Sequence, residues 1–446
     1  MCLSWTGGLW GGAGGVGEGA AVRAVEERTT SCPECGTALR ADGRFTVWCR
    51  DCDWNVDPQP PPQEADRLER ARRLLARRYG EKLLAEITAG GSLRARRDGS
   101  ALLAFALALA VHGVTAALLL GGLWCLTAGW GSAAMVPGAV LLLFGWALWP
   151  RAFRLPGTAP VLLREDAPEL YALVDDVARV VGTRGVDQVV VTTEVNAGVT
   201  ARGVRGRRLL VLGLPLWEIL TPRERVALLG HELGHYSNGD IRHGVVVGTA
   251  YRSLVTWYSF FHPISDPTLV EMLVNAVYTV PRLVLRGLLT LLDHLTLRAA
   301  QRAEYLADRE AARAGSTEAA VGLMDRLLVA DSAIVTLQRE AAQAALGGPR
   351  GARTADSGAA EIWDRLRTAM ASIPEGEYER QRRAGARRGH SVDSTHPPTH
   401  LRRASLLVGP ATEAAVTLDD DRARRIAAEL APARGAVARR VIRDGV

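Results

Sequence analysis

Lysine is almost missing from this 446-residue chain: Lys82 is the only one among 54 basic residues, so arginine carries nearly all the positive charge. That skew, with a formal net charge of only +6, speaks for a GC-rich genome more than for a polyanionic partner, and nucleic acid is not an expected ligand. The first 30 residues lack the charged start and continuous apolar stretch of a signal peptide. Glycine-rich with scattered tryptophan, they read as disordered or as a mis-assigned start. Charge is itself absent from Ala101 to about Leu126 and from about Ser132 to Trp149. Core helices of soluble proteins seldom run so far without charge. Residues 100–150 are therefore expected to cross a bilayer as a helical hairpin, with Trp124, Trp130, Trp146 and Trp149 as interfacial aromatics near its ends.

Cysteine is scarce, six residues in all, yet four of them form two CxxC knuckles, Cys32-Pro-Glu-Cys35 and Cys49-Arg-Asp-Cys52. Between the knuckles lie a turn at Asp42-Gly43 and a strand-like run from Arg44 to Trp48, so residues 31–57 read as a zinc ribbon. So short a segment buries too little apolar area to fold unaided, and a structural zinc on Cys32, Cys35, Cys49 and Cys52 would supply the missing stability. Disulfides or redox-active thiols are the competing use of the same residues.

Residues 58–99 are expected to hold a stiff linker, Pro58 to Pro62, and a basic amphipathic helix from Glu64 to about Ile87. Its Leu68, Leu74, Leu75, Leu83 and Leu84 suit a helix lying on anionic lipid headgroups, a solvated helix being the plainer alternative. Arg94, Arg96 and Arg97 precede the hairpin, Arg151 and Arg154 follow it, and its turn has neither arginine nor lysine. The positive-inside rule then makes this an integral protein of the inner or plasma membrane, with both the N-terminus and everything beyond the hairpin in the cytoplasm.

What the chain does have is His231-Glu232-Leu233-Gly234-His235. Residues four apart share one face of a helix, so both imidazoles can bind one zinc while Glu232 sits beside the open coordination position. A water acidified by zinc, deprotonated by Glu232, would attack a peptide carbonyl polarised by the metal. The context supports a helix: Thr221 is an N-cap, Pro222 stands at the first helical position, and Glu224 completes a capping box. Val226, Ala227, Leu228, Leu229 and Leu233 supply the buried surface. The site needs a third ligand. The HExxHxxGxxH pattern fails, because Asn238 and Ile241 stand at its glycine and third histidine. Asp240, His243, Glu271, His294 and Glu304 are the candidates, and Glu304 is the best physical choice. One turn beyond it, on the same helical face, Asp308 can accept a hydrogen bond from a ligating histidine; a surface ion pair with Arg302 or Arg309 is the other use of these carboxylates.

Around this motif, Ala167 to Val181 reads as a helix, and Asp187 to Val195 and Arg207 to Leu212 as strands joined through Gly198, Gly203 and Gly206. An edge strand here would hold an extended substrate by β-augmentation. Gly244 to Leu297 is apolar but interrupted by charge, and is expected as membrane-associated helices more than as two further spans. Residues 345–394 are expected as a mobile loop, and a C-terminal helical tail, 411–446, closes the chain with a basic amphipathic helix from Arg422 to Ile442.

HELGH with Asn238 and Asp240, the segment Arg302 to Asp308, and Ser394-Thr395-His396-Pro397-Pro398-Thr399-His400-Leu401-Arg402 together resemble the HtpX-like membrane zinc metalloproteases, the family that also holds the CAAX prenyl endopeptidases. The resemblance covers about residues 160 to 410 and the preceding hairpin. It implies His231, His235 and Glu304 as zinc ligands, Glu232 as general base and Asp308 as a hydrogen-bond partner behind the ligands. It implies Asn196-Ala197 as a substrate-binding motif on the edge strand, His396 as a catalytic residue steadying the tetrahedral oxyanion, and Arg402 as a buried partner of Asp308. His400 departs from the family pattern, and a second HxxxH metal pair with His396 is an alternative that Pro397 and Pro398 oppose.

The fold class that follows is mainly α with a small β-sheet: an α+β zincin-type domain at 155–410, a transmembrane hairpin and a zinc ribbon. The function that follows is that of a membrane-anchored zinc endopeptidase with two zinc ions, one catalytic and one structural, acting on peptides or membrane proteins in quality control, with a protein partner recruited by the ribbon. A membrane-tethered zinc-binding regulatory protein without protease activity is the alternative.

Overall fold

Glycine and alanine decide how closely the two central helices meet. Helix α6 (Pro222–Ser237) crosses α8 (Leu269–Gly315) through Gly230 and Gly234 on one side and Ala307, Ala311 and Ala314 on the other. A Cβ on Gly230 would lie 2.8 Å from Ala314 Cβ and 2.9 Å from Glu310 O, and one on Gly234 only 3.1 Å from Ala307 Cα. With no side chain in the way, the backbones approach until residues of α8 reach the HELGH turn. α6 begins with the full capping box, Thr221 and Glu224 exchanging side-chain and backbone hydrogen bonds.

The computed structural model describes residues 28–58, 67–91, 99–149, 159–202, 206–238, 240–346, 361–388 and 396–445, and separates into two units, Met1–Gln59 and Pro60–Val446. It is mainly helical with small sheets. In the larger unit four strands take the order β3-β4-β6-β5: β3 (Val161–Leu162), β4 (Gln188–Thr192), β5 (Ala197–Arg202) and β6 (Arg207–Gly213). β4 and β6 are parallel and the other pairs antiparallel. The segment read as a glycine-marked connection is thus itself a strand over Ala197–Arg202, at the sheet edge, pairing Ala197 with Leu212 through Arg202 with Arg207. Helix α4 (Pro168–Val181) buries Leu170, Leu173, Val174 and Val177 in the core, and α5 (Leu214–Ile219) leads from β6 into α6.

Four helices make a separate apolar bundle: α2 (Gly99–Ala128), α3 (Met135–Ala147), α7 (Asp240–Phe260) and the first part of α8. Ala104, Ala108 and Val111 of α2 pack on Ala250, Leu254 and Trp257 of α7 and on Leu285, Leu292 and Leu295 of α8. Small residues line the α2–α3 hairpin, where a Cβ on Gly122 would strike Leu142 and Gly138 within 3 Å. The outer surface keeps large apolar side chains in the open: Leu120, Trp124, Val136, Trp146, Leu269 and Leu273 are all more than half exposed. α2 and α8 are long and apolar enough to cross a membrane. α3, with 13 residues, rises only about 20 Å, short of a hydrocarbon layer of about 30 Å. The segment 244–297, expected as membrane-associated helices more than as two further spans, forms most of α7 and the first part of α8.

Two expectations are corrected, the mobile loop at 345–394 and the unbroken helix from Arg422 to Ile442. Helix α1 (Arg67–Thr88) turns Leu83 and Ile87 onto Tyr305 of α8 and Leu401, while Leu74 stays exposed. Tyr305 and Gln301 tie it down by donating to Gly80 O (3.3 Å) and Ala76 O (2.8 Å). The expected loop 345–394 contains α11 (residues 361–371) and α12 (Glu375–Arg388), while 347–360 and 389–395 lie outside the described residues. Ile362, Trp363, Leu366 and Met370 are buried, and Arg382 of α12 grips Asp325 with two hydrogen bonds of 2.9 and 2.8 Å, interior contacts that composition alone did not reveal. Asp325 belongs to α9 (Thr317–Leu328), which α10 (Ala330–Leu346) follows. The tail breaks at Leu430 into α14 (Asp420–Glu429) and α15 (Ala431–Asp444), with Pro432 opening the second. It is packed down: Glu429 accepts hydrogen bonds from Glu169 N and Leu170 N (2.8 and 2.9 Å) at the start of α4.

The smaller unit pairs β1 (Arg28–Ser31) with β2 (Ala38–Ala41) around the first cysteine knuckle. The strand expected at Arg44–Trp48 is irregular, and the paired strands lie before the Asp42-Gly43 turn. β1 reaches into the stretch expected as disordered, whose residues 1–27 lie outside the described residues, as do most of the proline linker and the flanking Arg94, Arg96, Arg97, Arg151 and Arg154.

Candidate metal centre

The α6–α8 crossing brings His231, His235 and Glu304 together. His231 Nε2 lies 3.3 Å from His235 Nε2 and 3.5 Å from Glu304 Oε2, and His235 Nε2 lies 3.6 Å from Glu304 Oε1. His396, just before α13 (Thr399–Leu406), adds Nε2 at 3.3 Å from Glu304 Oε2. Ligands at the corners of a tetrahedron with bonds of about 2.0–2.1 Å stand about 3.3 Å apart, so the spacing suits a small cation. Glu304 Oε2 is buried and makes no hydrogen bond of good geometry, although two imidazoles and, at 3.5 Å, Arg402 Nη2 face it. A cation at this point would satisfy it, and the donor set of imidazoles and a carboxylate fits a metal. Glu232, on the same turn as both HELGH histidines, is buried as well.

Behind the ligands sits a second layer. Asp308 Oδ1 lies 3.0 Å from His231 Nδ1, which assigns the proton to Nδ1 and leaves Nε2 for a metal. Arg402 of α13 clamps the same carboxylate with two hydrogen bonds, Nε to Oδ2 at 2.9 Å and Nη2 to Oδ1 at 2.6 Å. Burial would raise the pKa of Asp308, but the Arg402 charge and the hydrogen bonds from Arg402 and His231 hold it down to about 2. Burial pushes Glu304 the same way, yet His396, Arg402, His231 and His235 crowd it with positive charge and keep it well below the usual carboxylate range. Both carboxylates are thereby ionised inside the protein.

The remaining candidates are elsewhere. Glu271 caps its own helix by accepting from Thr268 N at 2.7 Å, and His294 lines a groove on α8 with Arg286 and Thr290. The side chains of Asp240 and His243 lie outside the described residues. His400 forms no metal pair with His396: Arg77 and Glu81 of α1 are its charged neighbours. Asn196 and Ala197 stand where β5 begins, Asn196 Oδ1 accepting from Ala197 N at 2.9 Å. Sequence reasoning missed Tyr236, whose hydroxyl reaches two strands from the HELGH helix; nothing in its spacing marks it. It also missed the close helix approach through Gly230, for which the Gly-x-x-x-Gly spacing with Gly234 was a signal.

In the smaller unit the four cysteine sulfurs converge, with Cys32 Sγ 3.6 Å from Cys52 Sγ and Cys35 Sγ 3.5 Å from Cys49 Sγ. These distances exclude disulfides and approach the edge of about 3.8 Å expected for four thiolates on zinc. Cys32, Cys49 and Leu39 form the buried centre, edged by Val47 and Trp54. Among the described residues, two groups have donor atoms close enough together to hold a metal ion: Cys32, Cys35, Cys49 and Cys52, and His231, Glu304 and His396.

An HExxH helix crossed by a helix carrying a glutamate, above a small sheet with an open edge strand, defines a metallopeptidase. The model of peptidase family M48 matches residues 164–408, more than half of the chain, and the chain belongs to that family. No curated protein and no solved structure matches it.

Proposed function

We propose that this protein is a membrane-anchored zinc endopeptidase acting from the cytoplasmic face on damaged or misfolded membrane proteins. The observation that carries the reading is the buried Glu304 carboxylate, with His231 and His396 facing Oε2 and His235 facing Oε1, and with Glu232 on the adjoining helix. His231, His235 and Glu304 would hold the catalytic zinc. When bound, the cation supplies Lewis acidity, which acidifies a water and polarises the scissile carbonyl.

The chain's own residues do the rest. Glu232 takes the proton of the attacking water and delivers it to the departing amine. His396 presents Nε2 beside the ligands, where it donates to the oxyanion that develops on the carbonyl. Asp308, ionised and clamped by Arg402, keeps the His231 ring in one tautomer and one orientation. β5, unpaired on its outer side among the described residues, takes an extended peptide as an added strand, with Asn196 and Ala197 at its entrance.

The exposed apolar surface of α2, α3 and α8 supports membrane anchoring, and the arginines flanking the hairpin support cytoplasmic orientation. The cysteine group would hold a structural zinc, and its unit would recruit substrates or a protein partner. The test is cleavage of casein by detergent-purified protein, with zinc content measured, intact and as Glu232→Gln. Zinc in both and cleavage by the intact chain alone is the expected result; zinc without cleavage in either would favour a regulatory metal-binding protein.

A further inference from the structure

Directly after the second histidine of HELGH, Tyr236 reaches from α6 to the sheet. Its hydroxyl donates to Thr200 O of β5 at 2.6 Å and lies 3.2 Å from Leu209 O of β6. Thr200 and Leu209 are register partners, so this one hydroxyl spans the edge strand and its neighbour at a single rung of the sheet. The ring is held as firmly as the hydroxyl. The guanidinium of Arg208 lies over it, 4.4 Å from the centroid, and Arg208 is itself fixed through Nη1 to Thr183 Oγ1 (2.9 Å) and Arg184 O (2.6 Å) and through its backbone N to Asp187 Oδ2 (2.7 Å).

β5 needs such a tie. Among the described residues it is paired on one side only, and it carries Ala197, Gly198 and Ala201, side chains too small to anchor it by packing. None of its residues is buried. A peptide added to β5 takes its distance from the metal from wherever that strand happens to lie, and a displacement of 1 Å at a reacting centre costs rate heavily.

We infer that Tyr236 is a positioning residue that couples the metal helix to the substrate strand, fixing the height of β5 relative to His231 and His235. This rests on the reading of β5 as the substrate strand. The proposal assigns specificity for extended, unfolded segments to a rigid rung formed by α6, β5 and β6.

The experiment uses the full chain in detergent and the variant Tyr236→Phe, which keeps the ring beneath Arg208 and removes only the hydroxyl. Zinc content should not change. Amide exchange of residues 197–202 should accelerate, and kcat/KM on a long unstructured peptide should fall on the order of tenfold, mainly through KM, the effect of one hydrogen bond. Unchanged exchange in β5 together with unchanged kcat/KM would overturn the proposal. The same peptide, N-methylated at successive backbone positions, tests the underlying reading in the intact enzyme. Cleavage that falls at alternate positions supports strand addition to β5. Cleavage indifferent to every N-methyl group would overturn strand addition and the proposal with it, whereas alternating sensitivity with an inert Tyr236→Phe would overturn the role of Tyr236 alone.

Discussion

Around Cys32 and Cys49 the apolar company amounts to Leu39, Val47 and Trp54, whereas His231 and Glu304 lie where two long helices cross beneath α9 and α13. In the smaller unit the ligands themselves form the core. In the larger one they are guests in a core built from Leu209, Leu210, Leu229, Leu233 and many others. The difference separates two uses of a metal. Four thiolates on a thin scaffold need the cation in order to fold, and they close its coordination shell. His231, His235 and Glu304 stand on helices packed into that core, and Glu232, on the same turn of α6 as the histidines, is buried with them.

The largest expected effect breaks the comparison at its weaker end. Stripping zinc with a chelator should unfold the cysteine unit, since structural zinc contributes on the order of 10–16 kcal/mol in such modules. The fluorescence of Trp48 and Trp54 and the amide protection of Ala38–Ala41 would report it. Amide exchange across α4, α6 and β4 should stay slow in the same sample; melting of both units together would show that the catalytic core also depends on its metal. Next comes Glu232→Gln, which should lower kcat by about 10²–10⁴-fold, the usual contribution of a general base, with zinc content unchanged in both units. A variant that lost zinc along with activity would make Glu232 a ligand rather than a base.

Much of the contrast was legible beforehand. HELGH with its capping box predicted α6, and the one-turn spacing of Glu304 and Asp308 predicted the shared helical face that brings both carboxylates to His231. The CxxC pairs marked four sulfurs that do converge, although the strand between them was misplaced because its alternating pattern also suits an irregular loop. What remained hidden shares one physical cause. Periodicity shows that a face will be covered, not by what. The apolar stripe of α1 suits a lipid surface and a protein groove equally well, and only the structure shows Leu83 against Tyr305 and Leu401. Arginine-rich α12 looked like a loop because its stabilising contacts are ionic and distant in sequence, Arg382 with Asp325 among them. β5 was read as a connection because glycine and alanine carry no strand preference, and pairing with β6 overrides that indifference.

Arg402 sharpens the comparison further, because it is a cation built into the protein beside the place reserved for a metal. It is 2% exposed and paired with an equally buried Asp308. Arg402→Met should destabilise the zinc-free protein by about 3–5 kcal/mol, the cost of leaving a buried charge without its partner. In the zinc-loaded protein the loss should be smaller, since bound zinc would compensate Glu304 and hold His231 in place. Denaturant unfolding of both forms checks this, and equal losses would mean that Arg402 serves Asp308 alone.

The smallest effect concerns the contact on which the catalytic geometry depends. Gly230→Ala places a methyl 2.8 Å from Ala314 Cβ and 2.9 Å from Glu310 O, so α6 and α8 must part by a few tenths of an ångström. Overpacking of this kind costs about 1–3 kcal/mol, offset by somewhat under 1 kcal/mol from the better helix propensity of alanine. Glu304 rides on α8 and both histidines on α6, so the same displacement stretches the ligand set. Zinc affinity should weaken on the order of tenfold while the protein stays folded, a dissociation visible by competition with a chromophoric chelator. Gly43→Ala, at a position where the added methyl meets nothing within 4 Å, is the matched control in the cysteine unit and should leave both zinc affinities unchanged. A Gly230→Ala protein that holds zinc as tightly as the parent would show that the two helices can separate without moving the ligands, and the geometry of this centre would then rest on α13 and its Arg402 clamp instead of on the crossing.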